Sequence, residues 1–496
     1  MTIDPRDRFA KFVDIALLQQ VLPDWLAGKR WFGAKSRVIA SVEVIDYAVL
    51  SASAAILFVL VHFAEGDSDT YQIPMTLPVS MSEEQLLPLR EAVDDEDFRQ
   101  ALLGLIEREA SLSVGDQSAL SGHRSLLFAP PPGSHTLAAR VSCAEQSNTN
   151  ILYGDQMILK LFRRLQPGEN PDVEIGRFLT DIAHFSHIPR FLGEITLARP
   201  GVEPTSLAML QELVPNQGDG WQWTLDALAQ FYAATTPDPS SHCEAAALLG
   251  RRTAEMHLAL ATETADEAFR AESITTIAIT SEARRIYDQI SLALDTLQKA
   301  LPSLEPDAAR DAVTILNRRD ALLATVDAIM SHPPSGKLLR IHGDYHLGQV
   351  LRTHDDFVIL DFEGEPARTL AERRKKQSPL KDVAGMLRSF SYAAWVALEH
   401  HRILQPDSNP SHDVWTQAVS TSFLAAYRKT IATRSDLLPD EPLATTLLNA
   451  YILEKASYEL LYELNNRPEW VRIPLSALAA LSEPDALTNR LGILGV

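Results

Sequence analysis

The sequence predicts an α+β protein with more than one compact unit, strand-rich in its first part and mostly helical in its second. Three observations carry this. The chain has 496 residues, beyond what one hydrophobic core usually organises. Between residues 38 and 77 the apolar runs "VIASVEVIDYAVL", "AILFVLVHF" and "DTYQIPMTL" follow one another like a small meander of strands. From about residue 222 the texture changes to long helical patterns, such as "CEAAALLGRRTAEMHLALA" (243–261) and the stretch from Ala278 to Met330.

Taken in order, the N-terminus "MTIDPRDRFAKF" has acidic residues and no apolar stretch of signal-peptide type, so an unexported, cytoplasmic protein is expected. The most hydrophobic run, "YAVLSASAAILFVLVHF" (47–63), holds small polar residues and is short for a membrane span. It reads as two buried strands with a turn near Ser51 to Ser53. A helical stretch near 83–108 follows. Then "LFAPPPGSHT" (127–136), with three prolines and a glycine, is the best boundary signal in the first half. Beyond it, two strand-rich pieces flank a helix expected at 171–185. No repeat of solenoid period and no low-complexity tail occurs.

Composition narrows the partners. The chain is 46% hydrophobic and 22% charged, as ordinary globular proteins are. Its 45 Lys and Arg against 65 Asp and Glu give a formal net charge of −20. Such a field disfavours polyanions, which excludes nucleic acid and anionic membrane as expected partners. The two cysteines, Cys143 and Cys243, stand far apart and in no metal-ligand spacing, so both are expected as reduced core residues.

The chemistry concentrates in "IHGDYHLGQVLRTHDDFVILDFEGEP" (341–366). "KLLRI" (337–341) and "FVILDF" (357–362) are apolar enough to be buried strands, with "QVLRT" a shorter one between. A carboxylate where a buried strand ends is held rigidly, which makes Asp344 and Asp361 candidates for one cleft. Phosphoryl transfer needs such a pair: one carboxylate orients and deprotonates the attacking hydroxyl, another holds the divalent ion on the triphosphate. Gln349, five residues after Asp344, offers a further oxygen to the metal. His354, Asp355 and Asp356 fall where a solvated turn is expected.

These residues carry a resemblance. His342-Gly343-Asp344 with Asp361-Phe362-Glu363 is similar to the aminoglycoside phosphotransferase branch of the protein-kinase-like fold, a branch that includes choline kinase. A closer resemblance is to the bacterial maltokinases, some fused to trehalose synthase. It lies in "HGDYHLGQVLRT", "DFEGEPARTLAERRKKQSPLKDVAGMLRSFSYAAW" and "EKASYELLYELNNRPEWV", covering 342–395 and 454–471, with weaker similarity over about 140–225. Glutamine at 349, where the wider branch usually has asparagine, fits the maltokinase subset. The resemblance implies a bilobal protein-kinase-like fold: a cap subdomain and the start of the nucleotide lobe in 1–130, the nucleotide lobe and hinge in 131–218, and a helical lobe with the catalytic and acceptor site in 219–496. It also implies ATP and Mg²⁺, maltose as acceptor, His342 on the substrate side, and trehalose synthase as a candidate partner.

A kinase of this fold needs a strand lysine for the phosphates and a helix acid to brace it. Lys160 in "MILKLFRRL" and Glu174 in "NPDVEIGRFL" are the candidates. Ahead of the lysine strand, "EQSNTNILYG" (145–154) has no GxGxxG, so backbone N–H groups and the hydroxyls of Ser147 and Thr149 would hold phosphate. "LAMLQELVP" (207–215) resembles the strand entering the hinge, with the backbone of Gln211, Glu212 and on to Val214 facing the adenine edge. In "YILEKASYELLYELNNRPEW" (451–470), Lys455, Tyr458 and Tyr462 recur at i, i+3, i+7 and share a helix face. Two rings and a polar head suit a sugar, and the resemblance places maltose recognition there. Glu454 and Asn465 are further candidates, while Trp470 is expected to pack. "LAGKRWFGAKSR" (26–37) resembles the start of the maltokinase cap.

The reaction so implied is ATP plus maltose giving ADP and maltose 1-phosphate for α-glucan synthesis. Two alternatives stay open. A related sugar or amino-sugar kinase, such as a glucosamine kinase, would meet a free amine with Glu363 or Glu365. A catalytically silent subunit that binds trehalose synthase or glucan would borrow the fold without its chemistry.

Overall fold

The computed structural model describes residues 13–76, 90–115, 117–130, 137–142, 147–404 and 412–482. The chain divides into two compact units, residues 1–214 and 215–496. The proline-rich stretch at 127–136 falls inside the first.

The first unit begins with α1 (Ile15–Ala27), capped by Asp14, whose side chain accepts from Leu17 N–H at 3.1 Å. Its Leu18, Leu22 and Leu26 recur every four residues and are buried together. The expected meander follows as β1 (Ile39–Ser51), β2 (Ala54–Phe63) and β3 (Asp69–Thr76). The near-continuous apolar run in β2 has a physical cause: it is a central strand buried on both faces. Ala54, Ile56 and Phe58 enter one core while Ala55, Leu57 and Val59 enter another, the period-two split of a strand.

The first of these cores is shared with a seven-stranded sheet made of β4 (Ser111–Val114), β5 (Ser118–Arg124), β6 (Ala139–Val141), β7 (Thr149–Tyr153), β8 (Met157–Leu161), β10 (Phe191–Arg199) and β11 (Val202–Glu212). Its order is β4-β5-β10-β11-β8-β7-β6. The short β9 (Arg164–Leu165) instead pairs with β3. Helix α2 (Glu96–Glu107) lies against β5. Gly122 permits the approach, since a Cβ there would stand 2.2 Å from Leu105 O. The expected helix near 83–108 thus begins at Glu96, with 77–89 outside the described residues. The strands at 111–124 escaped prediction because "SLSVGDQSALSGHR" is poor in β-branched and aromatic residues. Helix α3 (Pro171–Arg177) opens the helix expected at 171–185, capped by Asn170, and a π-turn (Phe178–Ile182) continues it.

In the second unit come α4 (Gly220–Ala233), α5 (Ser240–Leu260), α6 (Thr276–Ala300), α7 (Pro306–Asn317) and α8 (Arg319–Asp327). The single long pattern read from Ala278 to Met330 is therefore three helices, broken first around Pro302 and Pro306, where proline removes a helical donor, and again at Arg318. After the hairpin region follow α9 (Leu370–Arg373), α10 (Leu380–Leu404), α11 (His412–Ile431), α12 (Leu443–Asn466) and α13 (Arg472–Leu481). "KLLRI" departs from expectation: only Lys337–Leu338 (β13) is a strand, paired with β12 (Glu272–Ser273). β14 (Val350–Arg352) and β15 (Phe357–Ile359) form the expected hairpin. No described helix is long and apolar enough to cross a membrane.

Candidate active site

The loop that bears Asp344 is held by hydrogen bonds rather than by a strand end. Asp382, in the first turn of α10 and fully buried, accepts from the backbone N–H of His342 at 2.8 Å and of Gly343 at 2.9 Å. His257 of α5 lies 3.1 Å from the same carboxylate and turns its other ring nitrogen to Tyr427 Oη at 2.9 Å. Burial pushes the Asp382 carboxyl up, but His257, His342 and the Gly343 N–H more than offset it, leaving the group below its ordinary value. Gly343 adopts a φ of +84°, which a side chain would strain.

His342, expected on the substrate side, is a brace for this loop instead. Its ring stands 5.1 Å from Tyr345 and 4.9 Å from Phe362. The Nε2–H tautomer satisfies both ring contacts, donating to Leu360 O at 3.0 Å and accepting from Asp344 N–H at 3.4 Å. A short-range H-G-D motif could not show this, because the acid that fixes the loop is 40 residues away.

Asp344 Oδ1 lies 3.2 Å from Lys455 Nζ of α12. Burial pushes the aspartate up, but the Lys455 ammonium foremost, with His346, holds it below the usual carboxylate range. Lys455 answers in kind: burial pulls it down, and Asp344, Glu365 and Glu459 carry it above its ordinary value. His346 is lowered by burial, with Asp344 acting the other way, and its Nδ1 accepts from Gly348 N–H at 3.0 Å.

Gln349 and Asp361 are linked through the backbone of the hairpin. The Gln349 carbonyl accepts from Leu360 N–H at 3.0 Å, which extends the β14–β15 ladder by one pair and sets Asp361 next to it. Asp361 takes a φ of +69°, a left-handed conformation that costs about 1 kcal/mol or more outside glycine. One of its carboxylate oxygens lies within 4.8 Å of one from Glu363. An amide oxygen and carboxylates are hard donors of the kind Mg²⁺ takes alongside phosphate oxygens, so this donor set fits that ion. In the neighbouring turn, His354 and Asp355 are exposed as expected, whereas Asp356 is clamped by both arms of Arg252 at 2.7 and 2.5 Å.

A cavity of about 290 Å³ opens beside Asp344, lined by Arg285, Glu365, Arg368, Glu372, Lys381, Asp382, Glu454, Lys455 and Tyr458 among others. Each carboxylate in its wall is already engaged. Glu454 forms a two-armed pair with Arg285 and stands 3.6 Å from Arg368. Glu365 pairs with Arg368 and lies 3.8 Å from Lys455. Glu372 closes a capping box with Thr369, and Asp344 and Asp382 are paired as described. Burial raises Glu454, yet Lys381 and Arg285 hold it down at about 2. Lys381, pulled down by burial, donates to Gln377 Oε1 at 2.9 Å. Tyr458 presents its ring 5.1 Å from the Lys455 ammonium. Tyr462, one turn further, does not line the cavity and stacks under Arg467 at 5.2 Å.

In the first unit, Lys160 on β8 is buried and its ammonium lies 3.0 Å from Asp172 Oδ2. The sequence reading passed over Asp172. Glu174, the acid it chose, is buried on the same helix and feels the neighbouring Glu169–Arg177 cluster. Ser147 is exposed. Thr149 is not a free phosphate-loop hydroxyl: it begins β7 and accepts from Arg163 Nε at 2.7 Å. Arg163 is fully buried, paired with Glu91 at 2.6 Å and stacked over Trp31 at 4.5 Å. At the strand end, Gln211 continues the ladder to Phe191 and Ile158. The N–H groups of Glu212 and Leu213 are committed to Arg190 O and Gln156 O, at 2.9 and 2.8 Å, so these two cannot serve adenine as expected. Val214 closes the unit.

A second cavity of about 470 Å³ lies in the first unit, where Glu169 and Glu194 share one cation, Arg177. Burial pushes both carboxyls up in spite of it.

Residues 25–109 match the family model of the maltokinase N-terminal cap domain. The chain is 29% identical over 351 residues to the glucosamine kinase of Streptacidiphilus jiangxiensis, covering 70% of this chain and 73% of that one. It is 27% identical over 344 residues to the glucosamine kinase of Mycolicibacterium smegmatis, covering 69% and 79%. Among solved structures, crystal form A of a glucosamine kinase matches with a TM-score of 0.69 at 24% identity, over 98% of this chain and 100% of the other. A glucosamine kinase in complex with glucosamine, ADP and inorganic phosphate matches with a TM-score of 0.66 at 23% identity, over 92% and 98%. The chain thus carries a segment that matches the maltokinase cap, is similar to two glucosamine kinases over about 70% of its length, and shares the fold of the glucosamine kinase structures.

Proposed function

We propose that the protein is an ATP-dependent carbohydrate kinase that transfers the γ-phosphoryl group to the anomeric hydroxyl of maltose, giving maltose 1-phosphate and ADP for α-glucan synthesis. The motif blocks at 342–395 and 454–471 and the cap match at 25–109 support the maltose reading. The observation that carries it against an amino sugar is the cavity wall: each of its carboxylates already has a cationic or hydrogen-bonding partner. A protonated amine would have to displace an arginine or lysine from a buried pair, whereas neutral hydroxyls need displace nothing.

In this reading Asp344 orients the attacking hydroxyl and takes its proton late, as charge leaves the oxygen; positioning counts for more than basicity. Lys455 keeps Asp344 ionised and lines the same cavity beside it. Gln349 and Asp361 hold Mg²⁺, which when bound offsets the charge of the triphosphate. Lys160, with Asp172 beside it, steadies the phosphates, and the adenine lies at the end of the strand near Gln211 without using the Glu212 and Leu213 N–H groups. A second reading, a glucosamine kinase, is favoured by the names of the relatives. ADP release with Mg²⁺, ATP and maltose, with phosphorus NMR of the product, tests the proposal. An anomeric phosphate is expected, and an inert maltose with a phosphorylated amino sugar would replace it by the second reading.

A further inference from the structure

Aromatic residues make up 7% of the chain, yet several gather beyond the acceptor cavity. The rings of Trp221 and Tyr392 lie 6.0 Å apart, and Tyr392 stacks on Trp470 at 6.5 Å with 17° between planes. All three are only partly buried, over a small base of Trp395, Val396 and Ile473. The Arg467 guanidinium covers both Trp470, at 5.0 Å, and Tyr462, at 5.2 Å. The buried Glu463 ties the group together, accepting from Tyr392 Oη at 2.5 Å and from Arg467 Nε and Nη2 at 2.9 and 2.6 Å. The planar groups are thus held rigidly, without the entropy cost of ordering them around a ligand.

This cluster continues the cavity. Lys455 and Tyr458 of α12 line it, and Tyr462 follows on the same face, 46% exposed and about 10 Å along the axis from Lys455. The row then passes under Arg467 to Trp470. Aromatic faces attract the C–H faces of pyranose rings, and a guanidinium offers several donors to hydroxyls. Resting on the acceptor reading above, we propose that Tyr462, Arg467 and Trp470, with Tyr392 and Trp221, form further sugar subsites. They hold the non-reducing extension of a linear 1,4-linked glucan whose reducing end lies beside Asp344.

Maltose and maltotetraose titrated calorimetrically into the full chain without nucleotide test this. Maltotetraose is expected to bind about three- to tenfold more tightly than maltose, with that ratio lost in Trp470→Ala and kept in Trp470→Tyr, as for one stacked ring. The same ratio in wild type and Trp470→Ala would reduce the cluster to packing and overturn the subsites. If Trp470→Ala gives no cooperative melt, the exposed Tyr462→Ala carries the test through the same ratio. ADP release with both sugars separates this inference from the acceptor reading. A binding preference lost in the variant, with neither sugar phosphorylated, overturns the acceptor assignment alone. Phosphorylated maltose without any preference for maltotetraose overturns the subsites alone.

Discussion

The two cavities of this protein both bury carboxylates beside arginine, and they leave them in opposite states. In the cavity next to Asp344, Arg285, Arg368, Lys381 and Lys455 answer the acids almost one for one, and Asp344 and Glu454 are held low. In the first unit's cavity, Glu169 and Glu194 share Arg177, and both are pushed up. Burial is similar, so the count of partners, not depth, sets the charge. A reaction that needs an ionised aspartate against a neutral acceptor belongs in the first kind of place. The second favours carboxyls that keep their protons longer.

The largest expected break in this contrast is Asp344→Asn, which removes the group that the first cavity keeps ionised. Turnover should fall roughly a hundred- to ten-thousandfold while ADP binding, followed by calorimetry, stays near wild type. Glu454→Gln makes the first cavity resemble the second with the sign reversed, leaving Arg285 with Glu282 alone. A loss of roughly 3 kcal/mol is expected from denaturant unfolding, as when one partner of a buried pair is removed.

Lys455→Met sharpens the comparison through pH. With its ammonium gone, burial acts on Asp344 unopposed, so the acid limb of kcat/KM should move to higher pH. An unmoved limb would show that Lys455 does not set the aspartate's charge. The signs for stability follow from the same shifts. Asp344, held low, stabilises the fold above the ordinary carboxylate value of about 3.9 and loses this as pH falls through its folded value. Lys455, raised, stabilises below about 10.4 and loses this as pH rises through its own.

Glu169→Gln in the other cavity is the smallest change. A raised carboxyl stabilises the fold only at low pH and costs stability once ionised, so at pH 8 the variant should melt at the wild-type temperature or up to about 2 °C above it. A marked drop would mean that the Glu169–Arg177 pair outweighs its desolvation.

Much of the loop beside the Asp344 cavity was legible in the sequence because its groups are close together in the chain. Asp344, Gln349 and Asp361 lie within eighteen residues around one hairpin, and apolar strands flank them. What fixes and neutralises them was not legible. Asp382, His257, Arg285 and Lys455 reach the loop and the cavity from four helices, at separations such as 111 residues for Lys455 and Asp344. Lys455 stood out only for its helix face, not for its pairing with Asp344, and the local patterns of the other three are those of ordinary amphipathic helices. For Lys160 the sequence pointed to Glu174, whereas the acid paired with its ammonium is Asp172, two residues earlier on the same short helix, and spacing alone does not rank two acids so close. His342 misled in the opposite direction: a histidine in a conspicuous motif proved to be bonded on both sides to backbone. The β2 run shows the sequence at its most informative, since only a strand with two apolar faces needs such a composition.

The central claim is that full pairing of the acceptor cavity selects a neutral sugar. Its most direct test is kcat/KM for maltose against glucosamine in one coupled ADP assay with saturating ATP and Mg²⁺. The account predicts turnover of maltose with glucosamine inert or far poorer. Efficient phosphorylation of glucosamine with maltose inert would contradict it, and would mean that an amine can take the place of one of the paired cations.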